Sequence, residues 1–331
     1  MNSTKTIRAF FRAVKVESAQ PPYDTIQLKV IYPARMSGSE LERDLGIVPA
    51  DSEQAPFPVV IFFGGANCSA EMYQWLAVKL AERGLVVVTF NWVAEILPGF
   101  VGLTPGVDIA VWTPKTYGTG PTASALPAIF AELQHLQTEG ILAGMLDLQR
   151  VVLGGHSAGG RVAIESADSR FYPQLAAAFG YGVHSLGAVK LGYEPGTILP
   201  LPSSLPMLLM GGTCDGVIAN SSDRYGMTPG NATTAVIRTF REAIAGGGNY
   251  TYLVLLEGAN HFSIADPFDP TTGRPFLDFP ATQPEDKIRS LMAETIGLFI
   301  DAHVRHQPTA LPALNQLLAT ANSLVQLFDC K

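Results

Sequence analysis

The sequence predicts a doubly wound α/β fold, in which a mostly parallel sheet is covered by helices on both faces. Short apolar runs alternate along the chain with segments of helical periodicity, and this alternation is typical of such folds. Some of the runs are apolar at every position, as in strands whose two faces are both buried. With 331 residues, 47% of them hydrophobic, the chain is long enough to bury a large core.

The predicted strands are short and rich in β-branched and aromatic residues. Residues 25–32 (TIQLKVIY) alternate as in a half-buried strand, whereas residues 58–63 (PVVIFF) are a continuous apolar run and residues 85–90 (LVVVTF) are predicted as the next buried strand. Further strands are predicted at residues 151–153, 205–210 and 250–256. Ligands of such sheets bind beyond the carboxyl ends of the strands, so we expect the functional residues there.

Segments with helical spacing lie between these runs. In residues 70–83, Met72, Trp75 and Leu80 recur at helical intervals, and Gly84 ends the segment. Further helices are predicted at residues 123–137, 158–167 and 285–304. An uncharged amphipathic segment at residues 310–328 predicts a C-terminal helix that docks on the body of the protein, with a membrane surface or a second subunit as alternative partners.

The charge and the cysteines exclude several classes of protein. The net charge is −7 and no Lys/Arg cluster occurs, so nucleic acid is not expected as a partner. Three widely spaced cysteines fit neither a disulfide framework nor a zinc pattern. We see no signal peptide and no segment of transmembrane length, which predicts a cytoplasmic protein. Its expected partner is a small molecule. The oligomeric state is left open.

A Gly-x-Ser-x-Gly motif is the strongest functional signal. Gly155-His-Ser157-Ala158-Gly159 stands between the strand at residues 151–153 and the helix that follows. This strand–turn–helix context is the one that a nucleophile elbow requires. It would hold the Ser157 hydroxyl at the tip of a sharp turn, above a helix N-terminus. The motif therefore predicts that Ser157 is a catalytic nucleophile.

A serine nucleophile needs a base and an acid that orients the base. His261 follows the strand at residues 250–256, and it is preferred over His303 and His306, which lie at the end of a predicted helix. Asp215 follows the strand at residues 205–210 and precedes His261, as the order Ser, Asp, His requires. Asp266 and Asp269 come after His261 and are weaker candidates for the acid.

The loop Gly64-Gly65-Ala66-Asn67 follows the strand at residues 58–63 and predicts an oxyanion hole. Two glycines allow the backbone to approach a substrate carbonyl closely. We expect the amides of Ala66 and Ala158 to donate to the oxyanion, with the Asn67 side chain as an additional donor.

Two long insertions are interpreted as lids or pocket walls, at residues 92–122 and 216–248. The first is rich in aromatic residues, which we expect to line an apolar substrate pocket. These residues are Trp92, Phe100, Trp112 and Tyr117.

With these motifs in place, the chain resembles the α/β-hydrolase superfamily over residues 58–304, within one domain that spans residues 1–331. Residues 58–88 and the elbow segment GGHSAGGRVAI are similar to the chlorophyllase and dienelactone-hydrolase branch. That resemblance implies hydrolysis of an ester with a large apolar alcohol, such as phytyl. The chain differs from the branch at Gly64, where a His-Gly pair is common, at Ala158, where arginine is found, and at Ser157, where dienelactone enzymes use cysteine.

The residues thus predict a serine carboxylic-ester hydrolase that needs no metal or organic cofactor. Two alternatives stay open. An acyltransferase or thioesterase would use the same three side chains, and a non-catalytic binding protein would use only the scaffold.

Overall fold

A computed structural model describes residues 6–97, 99–246, 248, 250–319 and 322–331 of the chain. The strands are β1 (Thr6–Lys15), β2 (Thr25–Ala34), β3 (Phe57–Phe63), β4 (Val86–Leu97), β5 (Phe100–Leu103), β6 (Leu146–His156), β7 (Leu175–Tyr181), β8 (Met207–Gly212), β9 (Thr251–Leu256) and β10 (Val325–Cys330). The α-helices are α1 (Glu40–Leu45), α2 (Gln74–Glu82), α3 (Leu126–Thr138), α4 (Ser157–Glu165), α5 (Gly216–Asn220), α6 (Thr234–Arg238), α7 (Glu285–His303) and α8 (Ala310–Leu318).

In the described residues the strands form a mixed sheet in the order β1-β2-β4-β3-β6-β7-β8-β9-β10, with β5 paired to β4. The six strands from β4 to β9 in this order are parallel to one another, and antiparallel strands flank them on both sides. The order reverses at β3, because β4 lies on one side of it and β6 on the other. Such a reversal places a crevice at the carboxyl ends of β3 and β6.

Apolar side chains project from both faces of the sheet, as the continuous apolar runs predict. In β3, Val59, Ile61 and Phe63 join the core cluster under α3 and α4, whereas Val60 and Phe62 join the cluster under α2, α7 and α8. Every residue of β3 is buried. The two clusters hold the helices against the sheet by the burial of apolar surface, and the rims of the sheet are left to polar loops.

The predicted doubly wound sheet is confirmed, and the structure adds strands that the sequence pattern did not indicate. β1, β5, β7 and β10 were not predicted, and β1 and β10 extend the sheet beyond the predicted core at residues 58–304. β7 (LAAAFGY) is rich in Ala and Gly, which are uncommon in strands, yet it is almost wholly buried between β6 and β8.

The predicted C-terminal helix at residues 310–328 is wrong in its second half. The helix α8 ends at Leu318, and Val325–Cys330 pairs antiparallel with β9 as an edge strand. Leu327 packs against one core cluster, and Val325 and Phe328 pack against the other. The apolar residues of this tail thus alternate between two faces, whereas a single helical stripe was expected. Residues 320 and 321 of the predicted helix lie outside the described residues.

The two predicted insertions contain regular structure. In the segment at residues 92–122, β4 continues to Leu97 and pairs with β5; residue 98 lies outside the described residues. The segment at residues 216–248 carries α5, a 3₁₀ turn at Ser222–Tyr225 and α6, with residue 247 outside the described residues. Their action as lids stays a prediction. None of the helices in the described ranges is both long and apolar enough to cross a membrane.

We expect Leu314→Ala to destabilise the protein by about 2–5 kcal/mol, because Leu314 on α8 is fully buried. Leu311 on the same helix is 39% exposed, so Leu311→Ala is a matched control that should change the free energy of unfolding by less than about 1 kcal/mol. Urea unfolding of both variants measures the difference. Equal effects would mean that α8 does not dock through this face.

Candidate active site

Ser157 lies at a sharp turn between β6 and α4. It has a φ of 54°, a left-handed conformation that non-glycine residues seldom adopt and that marks backbone strain. The turn also depends on Gly159, because a Cβ there would collide with the backbone oxygens of Phe63 and Gly64. Ser157 therefore has the strained backbone geometry of a nucleophile elbow.

Two hydrogen bonds connect Ser157, His261 and Asp215 in a line. The Ser157 hydroxyl lies 2.9 Å from His261 Nε2, and His261 Nδ1 lies 2.8 Å from Asp215 Oδ2. A carboxylate only accepts, so Nδ1 carries the proton and Nε2 is left to accept from the serine hydroxyl. His261 is 3% exposed and Asp215 is fully buried. The structure thus brings the three predicted residues together in the arrangement of an activated serine.

Asp215 is held by the first turn of α5, of which it is the N-cap. Its second carboxylate oxygen, Oδ1, accepts from the Ile218 amide at 2.8 Å. The N-terminal end of a helix favours a negative charge, and this contact leaves Oδ2 free for His261. Gly182, which follows β7, lies against both groups, since a Cβ there would be 3.0 Å from His261 Nδ1.

The loop after β3 lies beside the elbow because β3 and β6 are paired up to Phe63 and Gly155. Ala66 and Ala158 line the same cavity as Ser157. In the described part of the chain the Ala66 amide has no hydrogen-bond acceptor. Both alanines are therefore where the predicted oxyanion donors should be, and their role as donors stays a prediction.

Asn67 is turned away from this cavity. Its side-chain oxygen accepts from the Leu103 amide at 3.2 Å, and its own amide donates to the Leu103 carbonyl at 2.7 Å. These two bonds attach the loop after β3 to the end of β5. The prediction of an additional oxyanion donor from the Asn67 side chain is not supported by this placement.

The weaker acid and base candidates lie in other interactions. Asp266 faces Arg289 at 3.5 Å, and Asp269 accepts from Thr271 in its own turn. His303 binds the Tyr252 hydroxyl at 2.8 Å through Nε2. Their contacts are consistent with the choice of Asp215 and His261.

A buried relay joins the loop after β3 to the base. The Gly65 amide donates to the Tyr73 hydroxyl at 3.0 Å, and that hydroxyl lies 2.9 Å from His156 Nδ1. His156 Nε2 donates to the His261 carbonyl oxygen at 3.0 Å. Burial, and then the nearby His261, hold the pKa of His156 well below its usual range, so the ring is neutral. Tyr73 thus donates to His156 Nδ1. The relay holds in place the backbone of the loop after β3 at one end and the backbone of His261 at the other.

Asp278 forms a second link, between the acid and the base. Its carboxylate accepts from the amides of Gly216 at 2.9 Å, His261 at 3.2 Å and Phe262 at 3.1 Å. Burial raises the pKa of this group. Asp278 follows no predicted strand and belongs to no recognised motif, so its position could not be predicted from the sequence.

The cavity in front of Ser157 has a volume of about 220 Å³ and is more polar than expected. Of the four aromatic residues predicted to line it, only Trp112 does so. Trp92 is buried in the core and donates to the Tyr23 carbonyl, and Phe100 is exposed on β5. The Tyr117 hydroxyl binds the Pro200 carbonyl at 3.0 Å, behind the wall of the cavity. The prediction of an aromatic pocket is therefore wrong for Trp92, Phe100 and Tyr117.

Other residues take their place in the wall. The cavity is lined by Arg161, His184, Arg224, Tyr225 and Arg274, among others. Arg161 is one helical turn after Ser157, so its position follows from the elbow, whereas Arg224 and Arg274 come from loops remote in sequence. In the ranges that the structure describes, no group of three or more His, Cys, Asp or Glu side chains is arranged to hold a metal ion.

Comparison with known proteins shows the fold. No family model and no curated protein sequence matches the chain. A similar solved structure is that of the ferulic acid esterase from Streptomyces cinnamoneus, with a TM-score of 0.60 and 17% sequence identity over 99% of this chain and 97% of that one. Together with the sheet order, this likeness confirms the α/β-hydrolase fold that the sequence motifs imply.

We expect Tyr73→Phe to slow the reaction of Ser157 with a fluorophosphonate probe by about tenfold. The change leaves the Gly65 amide and His156 Nδ1 without their shared partner, at a cost of about 1–3 kcal/mol. Tyr172→Phe is the matched control, because Tyr172 is a buried tyrosine in the core cluster on the other face of the sheet. Labelling of Tyr73→Phe at the rate of the unmodified protein would show that the relay does not position the reacting groups.

Proposed function

We propose that the chain is a serine carboxylic-ester hydrolase. The proposal rests on one observation: the Ser157 hydroxyl faces a cavity and is hydrogen-bonded to a histidine that a buried carboxylate orients. This arrangement places an imidazole within hydrogen-bond reach of a hydroxyl that a strained backbone directs toward the cavity.

The proposed reaction has two halves. Ser157 Oγ attacks the ester carbonyl carbon while His261 Nε2 accepts its proton, and the Ala66 and Ala158 amides stabilise the oxyanion. The bond to the alcohol oxygen then breaks, and His261 returns the proton to the leaving alcohol. In the second half His261 deprotonates a water, which attacks the carbonyl carbon of the acyl group on Ser157. The bond to Ser157 Oγ then breaks, His261 returns the proton to that oxygen, and the acid is released. Asp215 stabilises the imidazolium in both halves.

Two other functions are compatible with the same site. A thioesterase or acyltransferase would form the same acyl-enzyme. Preference for a thioester over the matching oxygen ester would indicate the first, and a change of products on addition of amine or alcohol acceptors would indicate the second. A binding protein on this scaffold would not react with a fluorophosphonate. The strained serine and the buried acid favour catalysis over binding alone, because strain of this kind persists at sites that use it.

The cavity favours an ester with a small acyl or alcohol part. Its volume of about 220 Å³ is below the roughly 300–1,000 Å³ of pockets that enclose drug-sized ligands. A phytyl ester, which the resemblance to chlorophyllases implies, is therefore a weaker candidate than a short-chain ester. A feruloyl ester, the class that the name of the structural neighbour gives for that protein, belongs in the same comparison.

We expect Ser157→Ala to abolish ester hydrolysis and Asp215→Asn to lower kcat by about 10⁴-fold, since an amide in place of the carboxylate disfavours the reactive tautomer. Asp269→Asn, in an exposed turn, is the matched control and should keep full activity. Hydrolysis of p-nitrophenyl acetate measures all three. Full activity in Ser157→Ala would refute the proposed nucleophile. Full activity in Asp215→Asn would show that Asp215 is not the acid that orients His261.

We also expect kcat/KM to fall as the acyl chain of p-nitrophenyl esters lengthens, because a long chain does not fit the cavity. A series from acetate to palmitate, with a phytyl ester and a feruloyl ester, measures this preference. A maximum of kcat/KM at palmitate or at the phytyl ester would contradict this prediction and favour a substrate with a large apolar part.

A further inference from the structure

The charge of the cavity is opposite to that of the chain. The protein has 29 acidic and 22 basic residues and a net charge of −7. The cavity in front of Ser157 is nevertheless lined by Arg161, Arg224 and Arg274, and no Asp or Glu side chain is among the described residues that line it. A concentration of one sign of charge in a cleft selects the charge of the ligand.

One of the three arginines is neutralised by the protein. Arg161 forms a buried ion pair with Glu165 at 2.8 Å and donates to the Leu186 carbonyl at 2.8 Å. Its guanidinium also lies over the ring of Trp112, 4.5 Å from the centroid. Arg161 therefore builds the wall of the cavity, and its charge is already compensated.

The other two arginines are not compensated. Among the described residues, no carboxylate lies within 4.0 Å of Arg224 or Arg274, and the side chain of Arg274 donates only to Ser221 Oγ, at 3.4 Å. Arg274 is partly buried, and desolvation followed by the nearby charge of Arg224 lowers its pKa. Arg224 is exposed at the edge of the cavity, whereas Arg274 is half-buried within it. Two like charges thus face one cavity without an anionic partner, and a bound anion would relieve their repulsion.

A third donor completes this side of the cavity. The Leu186 amide donates to His184 Nδ1 at 3.2 Å, so the proton of the neutral ring is on Nε2. Desolvation, then Arg161, lower the pKa of His184 to about 3, and the ring stays neutral at physiological pH. In the described part of the chain Nε2 has no acceptor. The wall therefore offers donors from Arg224, Arg274 and His184.

We infer that the substrate ester carries a free carboxylate, which Arg224 and Arg274 bind while the ester carbonyl lies at Ser157. The inference rests on the proposed esterase function and names its substrate class: the half-ester of a small dicarboxylic acid, or a small hydroxy or phenolic acid that is acylated on its hydroxyl group and keeps its carboxylate free. The planar fork of a guanidinium matches the two oxygens of a carboxylate, and such charge-assisted bonds are the strong ones in a polar pocket.

The first test compares esters that differ only in this charge. p-Nitrophenyl hydrogen succinate and its neutral methyl ester place the carboxylate on the acyl side. 4-Acetoxybenzoate and its methyl ester place it on the alcohol side. We expect the unmodified protein to prefer the anionic member of one pair by about tenfold or more in kcat/KM, and the preferred pair identifies the side that the arginines bind.

The same ratio in variants assigns the preference to residues. Arg274→Gln and Arg224→Gln should each lower the ratio of anionic to neutral kcat/KM by about tenfold. Arg241→Gln is the matched control, because Arg241 is an exposed arginine outside the cavity and its loss should leave the ratio unchanged. A ratio near one in the unmodified protein for both pairs, or an unchanged ratio in both cavity variants, would overturn the inference.

A second measurement does not depend on turnover. Titration calorimetry with succinate and with benzoate should show binding to Ser157→Ala that weakens at high salt and is lost when Arg274→Gln is added. Binding of succinate or benzoate by a protein that hydrolyses no ester would refute the esterase function and keep the anion site. Hydrolysis of neutral esters without binding of either anion would refute the anion site and keep the esterase function.

Discussion

The site depends on the close approach of α4 to the backbone that leaves β3. The chain turns from β6 into α4 at Ser157, and Gly159 comes so near to Phe63 and Gly64 that a side chain there would collide with their carbonyl oxygens. Because β3 and β6 are neighbours at the reversal of strand order, this contact places the serine hydroxyl beside the loop that carries Ala66. The proposed nucleophile and the proposed oxyanion donors are thus positioned by backbone packing.

His261 and Asp215, the proposed base and acid, reach this point from two later strands. Their loops follow β9 and β8, which lie further along the same parallel part of the sheet, so all the carboxyl ends meet at one rim. The buried relay from Gly65 through Tyr73 and His156 to the His261 backbone connects the loop after β3 with the loop after β9. Polar groups in this layer are paired with one another, which makes their arrangement specific as well as stable.

Much of this arrangement could be predicted from local patterns. Ser157, Asp215 and His261 each follow an apolar strand, and each has neighbours that favour a tight turn. The wall of the cavity could not be predicted in this way. Arg224 and Arg274 lie on loops without periodicity, and only the folded chain brings them near Ser157. Trp92 is an aromatic residue of the kind that often lines pockets, but β4 continues through it and places its ring in the core. The error at residues 310–328 has a similar origin, because a short apolar segment without charges fits a helix and an edge strand equally well.

The hydrogen bonds of Asp278 have a mechanical consequence for the site. One carboxylate holds amides at the start of α5, next to Asp215, and at His261 and Phe262. These bonds join the two loops through one side chain and hold the Asp215 carboxylate at a defined distance from the His261 imidazole. The proposed acid and base therefore share one support at Asp278, and the bond from His156 to the His261 carbonyl connects that support to the strand that ends beside Ser157.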